Sequence, residues 1–240
     1  MKTGKRIAYF VGCAANYVDP EIGVAATQVL KHNGFRPIFP DQKCCGIPQL
    51  SAGNLPAFRK CADFNVRFLS TADCDIVSTC PSCTLALKHD YPRLLASPEA
   101  QAVSRRIYDM IEYLAMLKHQ HALNNTFSPV PLRISYHVAC HLEALGEQMV
   151  HNRLKLMKSI PGISITPLQR GCCGMDGTFG SKRSKYDQSI QIGQDLFDGI
   201  QDANPDLVVT DCPACKMQIQ QGTGLEVAHP VMIFQKAYGL

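Results

Sequence analysis

Ten of the chain's twelve cysteines fall into two series of the same form. The first is Cys13, the adjacent pair Cys44 and Cys45, then Cys80 and Cys83 in "CPSC"; the second is Cys140, the pair Cys172 and Cys173, then Cys212 and Cys215 in "CPAC". Thirty residues separate the single cysteine from the pair in the first series and 31 in the second; 34 and 38 residues then lead to the Cys-Pro-x-Cys turns. The surrounding text repeats as well, "RIAYFVGC" answering "RISYHVAC" and "CDIVSTCPSC" answering "DLVVTDCPAC", and each pair is followed by a glycine, Gly46 or Gly174. A duplication explains this agreement. A fold that gathers five thiols in one half is therefore expected to gather five in the other.

The chain is long enough for two such units: 240 residues exceed the usual single domain of about 100–150. With 46% hydrophobic and 18% charged residues it has the material for a buried core. The net charge of +4 is modest, and the densest basic run, "SKRSKY", reads as a solvated face, so nucleic acid is not expected as a partner. No apolar run reaches the roughly 18–20 residues needed to span a bilayer. The start, "MKTGKRIAYFVGC", soon meets Asn16, Asp19, Pro20 and Glu21 and reads as a first strand, not a signal peptide. In the absence of a secretory signal disulfides are disfavoured, which leaves metal binding or thiol chemistry.

Hydrophobic patterning places the special cysteines. Residues 6–12 read as a strand that ends just before Cys13, residues 21–33 as a helix closed by Gly34, and "FRPIF" as a second strand leading to the cysteine pair. A helix over 54–70 and a third strand in "DIVST" follow, with Cys80 directly after it; the second half has strands near 133–138, 163–168 and 206–211. Pro81 and Pro213 suit the first turn of a following helix. Alternating strands and helices imply an α/β fold: two tandem pseudo-repeated halves with mostly parallel sheets, right-handed crossovers, and the cysteines at the carboxyl ends of the strands. That edge is where open α/β sheets bind ligands. Residues 99–121 are expected to form one long amphipathic helix, and the polar, proline-bearing stretch at 124–131 a linker, giving domains 1–123 and 132–240.

A bare C-x-x-C suits zinc, a redox disulfide or an iron-sulfur cluster alike. A structural zinc closes with four ligands and would leave one thiol per half unused. Helix N-termini at the Cys-Pro-x-Cys turns would steady thiolates. Gly46 and Gly174 would either let the backbone approach a bulky cluster or simply make tight turns. Adjacent cysteines can both reach one centre if the backbone turns sharply, or bind different metals of one polynuclear cluster.

The pattern C, CCG, C-x-x-C, carried twice by "YFVGCAANYVDPEIG", "KCCGIP", "YHVACHLEALG", "CCGMDGTFG" and "VVTDCPACKMQI", resembles the duplicated cysteine-rich CCG domain over residues 8–220. That family includes the B-subunit of heterodisulfide reductase, the glycolate oxidase iron-sulfur subunit, lactate-utilisation protein A and, most similar in these motifs, the C-terminal part of the C-subunit of anaerobic glycerol-3-phosphate dehydrogenase. The resemblance implies two iron-sulfur clusters of the noncubane [4Fe-4S] type, one on Cys13, Cys44, Cys45, Cys80 and Cys83 and the other on Cys140, Cys172, Cys173, Cys212 and Cys215. It implies an electron-transfer subunit of an oxidoreductase, taking electrons from a flavoprotein dehydrogenase subunit that oxidises glycerol 3-phosphate or a similar hydroxy acid, towards the quinone pool. The implied location is the cytoplasm, at the inner face of the cytoplasmic membrane through partners. The alternative it implies is disulfide reduction at a cluster, as in heterodisulfide reductase. The C-x-x-C-x-x-C-x-x-x-C-P runs of a ferredoxin-like region are not found in this sequence. The expectation is either a C-terminal piece of a longer protein or a free-standing subunit whose further clusters lie on a partner.

Other residues are weighed more plainly. His137 and His141 flank Cys140 and suit a supporting or helix-capping role better than ligation. Cys61 and Cys74 read as buried small hydrophobes. Lys43 and Arg170 precede the cysteine pairs and would offset cluster charge or be solvated, and "GTFGSKR" is too degenerate to be a phosphate loop.

Overall fold

The computed structural model describes residues 4–168 and 170–240 and divides into two units, one ending at Thr126 and the other spanning Phe127–Gly239. The first unit runs β1 (Lys5–Phe10), α1 (Pro20–His32), β2 (Phe35–Ile38), α2 (Ile47–Ser51), α3 (Leu55–Leu69), β3 (Ile76–Ser78), α4 (Pro81–Leu85), α5 (Tyr91–Leu95), α6 (Pro98–Ser104), β4 (Ile107–Asp109) and α7 (Met110–His119). The second runs β5 (Arg133–His137), α8 (Cys140–Glu143), α9 (Glu147–Met157), β6 (Ser164–Leu168), α10 (Tyr186–Ala203), β7 (Leu207–Val209), α11 (Pro213–Thr223), β8 (Val227–Ala228) and α12 (Pro230–Tyr238). Each is an α/β unit with a four-stranded, all-parallel sheet, in the order β2-β1-β3-β4 and β6-β5-β7-β8.

The strands are apolar because helices cover both faces of a parallel sheet. Ile7, Ala8, Tyr9 and Phe10 are all fully buried, as are Ile76 and Val77 beside them. In α1, Pro20 starts the helix and Glu21 lies in its first turn; Asn33 closes it and Gly34, at φ +82°, turns the chain into β2. The chain moves from β1 outward to β2, then back across to β3 on the other side. A crevice therefore opens between the carboxyl ends of β1 and β3, and likewise of β5 and β7, where the crossover direction reverses.

The long helix expected over 99–121 does not form. After α6 the residues Ile107, Tyr108 and Asp109 extend and pair with Ile76, Val77 and Ser78 as a fourth strand, and a new helix starts at Met110. Asp109 is its cap: the carboxylate accepts from the N–H groups of Ile111 and Glu112, and the Glu112 carboxylate accepts from the Asp109 N–H. Burying Ile107 on the sheet edge outweighs continuing an amphipathic helix. The second unit adds the two-residue strand β8 in the equivalent place, and the His229 side chain caps the helix after it by accepting from Val231 N–H at 3.0 Å.

Candidate metal centre

In the first unit the cysteines follow the carboxyl ends of three strands: Cys13 after β1, Cys44 and Cys45 after β2, Cys80 and Cys83 after β3. Their sulfurs contact one another in the order Cys13, Cys44, Cys45, Cys83, Cys80. In the second unit the order is Cys140, Cys172, Cys173, Cys215, Cys212, with 3.2 Å between the Cys173 and Cys215 sulfurs. All ten sequence-predicted cysteines thus come together, five to a row, in the same succession. Among the described residues no three His, Cys, Asp or Glu side chains surround a single ion-sized position.

The second row runs from surface to interior, and the first does so as far as Cys83, its last member Cys80 being half-buried. Cys13, Cys140 and Cys172 are exposed, whereas Cys45, Cys83, Cys173, Cys212 and Cys215 are buried. Cys80 and Cys212 are the N-terminal caps of α4 and α11, with Pro81 and Pro213 in the first turn. The Cys212 thiol is lowered by the hydrogen bond from Cys215, with the N–H groups of Cys215 and Ala214 adding to it. Cys44 is held far below the ordinary thiol value by the hydrogen bond from Cys13, then by Cys45 and the Gly46 N–H. Cys172 is held down in the same way by Cys140, Cys173 and the Gly174 N–H, the last 3.3 Å from its sulfur. Their partners move the other way: Cys13 and Cys140 are raised because their protons are shared with those thiolates, and Cys173 is pushed up to about 12 chiefly by Cys172. The second place of each row, Cys44 or Cys172, is therefore the one drawn towards the thiolate form by its neighbours on either side.

Separate clamps hold the cysteine pairs. In the first unit Asn65, fully buried on α3, accepts from Lys43 N–H at 2.7 Å and donates to Cys44 O at 3.1 Å and to the Tyr91 hydroxyl at 2.9 Å. Tyr91 in turn donates to Cys45 O at 2.9 Å. In the second unit Ser189 donates to Gly174 O and accepts from Gln218, both at 2.8 Å. Gly46 and Gly174 sit at φ +91° and +89°. A Cβ at Gly46 would meet the Phe58 ring, and one at Gly174 would run into the Ser189 carbonyl. Of their two expected roles, the tight turn is the one their surroundings explain. Their backbones also come close to sulfur, through the N–H groups on Cys44 and Cys172, and Gly12, at φ +70°, does so as well, since a Cβ there would lie 3.1 Å from the Cys83 sulfur.

The cations ahead of the pairs are engaged elsewhere: the Lys43 ammonium stands 4.4 Å over the Phe64 ring, and Arg170 pairs with Asp195 at 3.1 Å. Cys61 and Cys74, expected to be buried, are only partly so; Cys74 packs against the core, while Cys61 lies on α3. His137 is buried at the end of β5, and His141 is half-buried on α8.

One group was not legible beforehand. Tyr136 donates its hydroxyl proton to Asp211, the residue before Cys212, and Arg153 on α9 pairs with the same carboxylate at 3.1 Å with both side chains fully buried. The first unit has a neutral version: Tyr9 and Thr79, the residue before Cys80, share a hydrogen bond of 2.9 Å. Thirteen residues after Cys13 comes buried Ala26, and thirteen after Cys140 comes Arg153.

Two α/β units, each carrying a five-thiol row on its carboxyl edge, define the class. The chain belongs to the CCG cysteine-rich domain family, whose model matches residues 7–88 and 134–220. It is 34% identical over 97% of its length to the C-subunit of anaerobic glycerol-3-phosphate dehydrogenase from Escherichia coli K12, and spans 59% of that protein. It is 32% identical over 90% of its length to the B-subunit of the CoM/CoB fumarate reductase of Methanothermobacter marburgensis, spanning 42% of it. Against lactate utilization protein A of an Exiguobacterium strain the identity is 27%, over 93% of this chain and 94% of the relative. Relatives of this kind are iron-sulfur redox proteins. The donor set fits that cofactor: five thiols per row exceed a tetrahedral zinc's four, and sulfurs strung in a row suit a group with several metals.

Proposed function

We propose that the chain is an iron-sulfur electron-transfer unit of a multi-subunit oxidoreductase. Cys13, Cys44, Cys45, Cys80 and Cys83 would hold one noncubane [4Fe-4S] cluster, and Cys140, Cys172, Cys173, Cys212 and Cys215 the other. The observation that carries this is the identical succession of five sulfurs in both units. When bound, such clusters accept and pass on single electrons. The chain's own residues supply the thiolates, fix the backbone of the pairs, and shield the inner sulfurs from water. The exposed ends at Cys13, Cys140 and Cys172 leave one side of each row open to a redox partner.

The electron donor in this reading is a flavoprotein subunit oxidising glycerol 3-phosphate or a similar hydroxy acid, with a ferredoxin-like region or subunit and the quinone pool downstream. The similarity to the glycerol-3-phosphate dehydrogenase subunit supports it. No helix among the described residues is long and apolar enough to cross a membrane, so contact with the membrane's inner face would run through partners. The relative named for CoM/CoB fumarate reduction supports a second reading, disulfide chemistry at one centre. Protein purified without oxygen should carry about eight irons and as many sulfides per chain. A folded protein free of iron and sulfide would overturn both readings. A disulfide substrate consumed at the expense of a low-potential dye would select the second.

A further inference from the structure

The two units differ at one position directly behind the thiol row. β5 ends on His137, three residues before Cys140, where β1 ends on Phe10, three residues before Cys13. Both side chains are buried, His137 at 2% exposure and Phe10 at 0%. Phe10 asks nothing of its surroundings. His137 does: among the described residues its Nδ1 has no hydrogen-bond partner. A buried polar atom left in that condition loses its hydration with nothing in exchange, so such atoms in folded proteins nearly always face a partner.

The direction of the missing partner is set by position: β5 ends at the sheet edge that carries the second row, and His137 lies near enough to Cys172 to interact with it electrostatically. An imidazole can give an N–H from Nδ1 in its Nδ1–H tautomer or when protonated. The sulfur row of the second unit is the acceptor at hand. We infer that His137 donates a hydrogen bond from Nδ1 to a sulfur of the group held by the second row, a bond Phe10 cannot make to the first. The inference rests on the reading that the rows hold clusters. A donor aimed at cluster sulfur stabilises the reduced, more negative state, so the second centre would have the higher potential and electrons shared between the two would settle there.

The test compares potentials of the two centres by redox titration followed by EPR, with the signals assigned through Cys173→Ser. His137→Phe places in the second unit the residue that the first already accommodates. The expected result is a fall in the second centre's potential, with the first unmoved and iron per chain retained. His137→Gln keeps an N–H and should lie between the two, and Phe10→His should raise the first centre. If His137→Phe and His137→Gln both leave the potentials at their wild-type values, the inference is overturned while the iron in wild-type protein upholds the cluster reading. If both instead lose iron from the second centre alone, His137 is a ligand and its role as donor is overturned. A wild-type chain without iron and sulfide would remove the underlying reading itself.

Discussion

Arg153 Nε lies 3.1 Å from Asp211 Oδ1, with neither side chain exposed, on the residue that precedes Cys212. Removing one partner of such a pair leaves an uncompensated buried charge. Arg153→Met should destabilise the second unit by about 3–5 kcal/mol in urea unfolding of the metal-free protein. Adding Asp211→Thr, the residue the first unit carries as Thr79, should recover most of that loss. If Arg153→Met alone unfolds like wild type, the pair contributes nothing to stability.

The Asn65 clamp makes a second expectation. Asn65→Leu would leave Lys43 N–H, Cys44 O and the Tyr91 hydroxyl without their partner, a loss of about 2–4 kcal/mol. Tyr91→Phe removes only the bond to Cys45 O and the acceptor for Asn65, and should lose about 1–2 kcal/mol. Unfolding followed separately in each unit should show the effect confined to residues before Thr126. Equal losses for the two variants would contradict the assignment of Asn65 as the hub.

Glycine replacements should rank in a stated order. Gly46→Ala meets positive-φ strain and an aromatic ring that can tilt away, about 1–3 kcal/mol. Gly174→Ala meets the same strain and a backbone carbonyl of α10, which has nowhere to go, so about 3 kcal/mol or more is expected. Thermal unfolding of the pair decides it, and a more stable Gly174→Ala would refute the ranking.

In the metal-free protein the lowered thiols should show in alkylation rates. A thiol held below its ordinary value stays ionised as pH falls, whereas an ordinary cysteine slows about tenfold per pH unit below its pKa near 8.5. Cys172 is both lowered and exposed, so its modification by iodoacetamide should be nearly level from pH 8 to pH 6 and precede that of Cys13 and Cys140, which are raised. Peptide mapping at the two pH values gives the answer. A tenfold loss per unit at Cys172 would show that Cys140 does not share its proton with it.

The sequence made the sites legible because their constraint is local and repeated: short apolar strands point to the edge, and the cysteines follow them at matched spacings. The fourth strands were hidden for a different reason. Ile107 to Asp109 lies inside a run with helical periodicity, and only the Asp109 and Glu112 capping box marked the break. Val227–Ala228 is too short to show any alternation. The ion pair escaped because Arg153 follows a polar helix pattern, while its burial depends on a carboxylate 58 residues away in sequence. The asymmetry at Phe10 and His137 was visible in the aligned motifs, but the unpartnered nitrogen is a property of packing.

The order of sulfurs along each row is not that of the sheet, since the sulfur after the central strand β1 is followed by the pair after β2, and it departs from the chain only at its inner end, where Cys83 comes before Cys80 and Cys215 before Cys212. The linking helices lie outside the edge that carries the sulfurs, and they differ between units, α3 having 15 residues and α10 having 18. Length on the flanks is therefore decoupled from geometry at the edge. A fluorescent label at an exposed position such as Lys60 on α3 or Asp198 on α10, away from the clamps at Asn65 and Ser189, gives a handle for watching either centre with its cysteine pair still held.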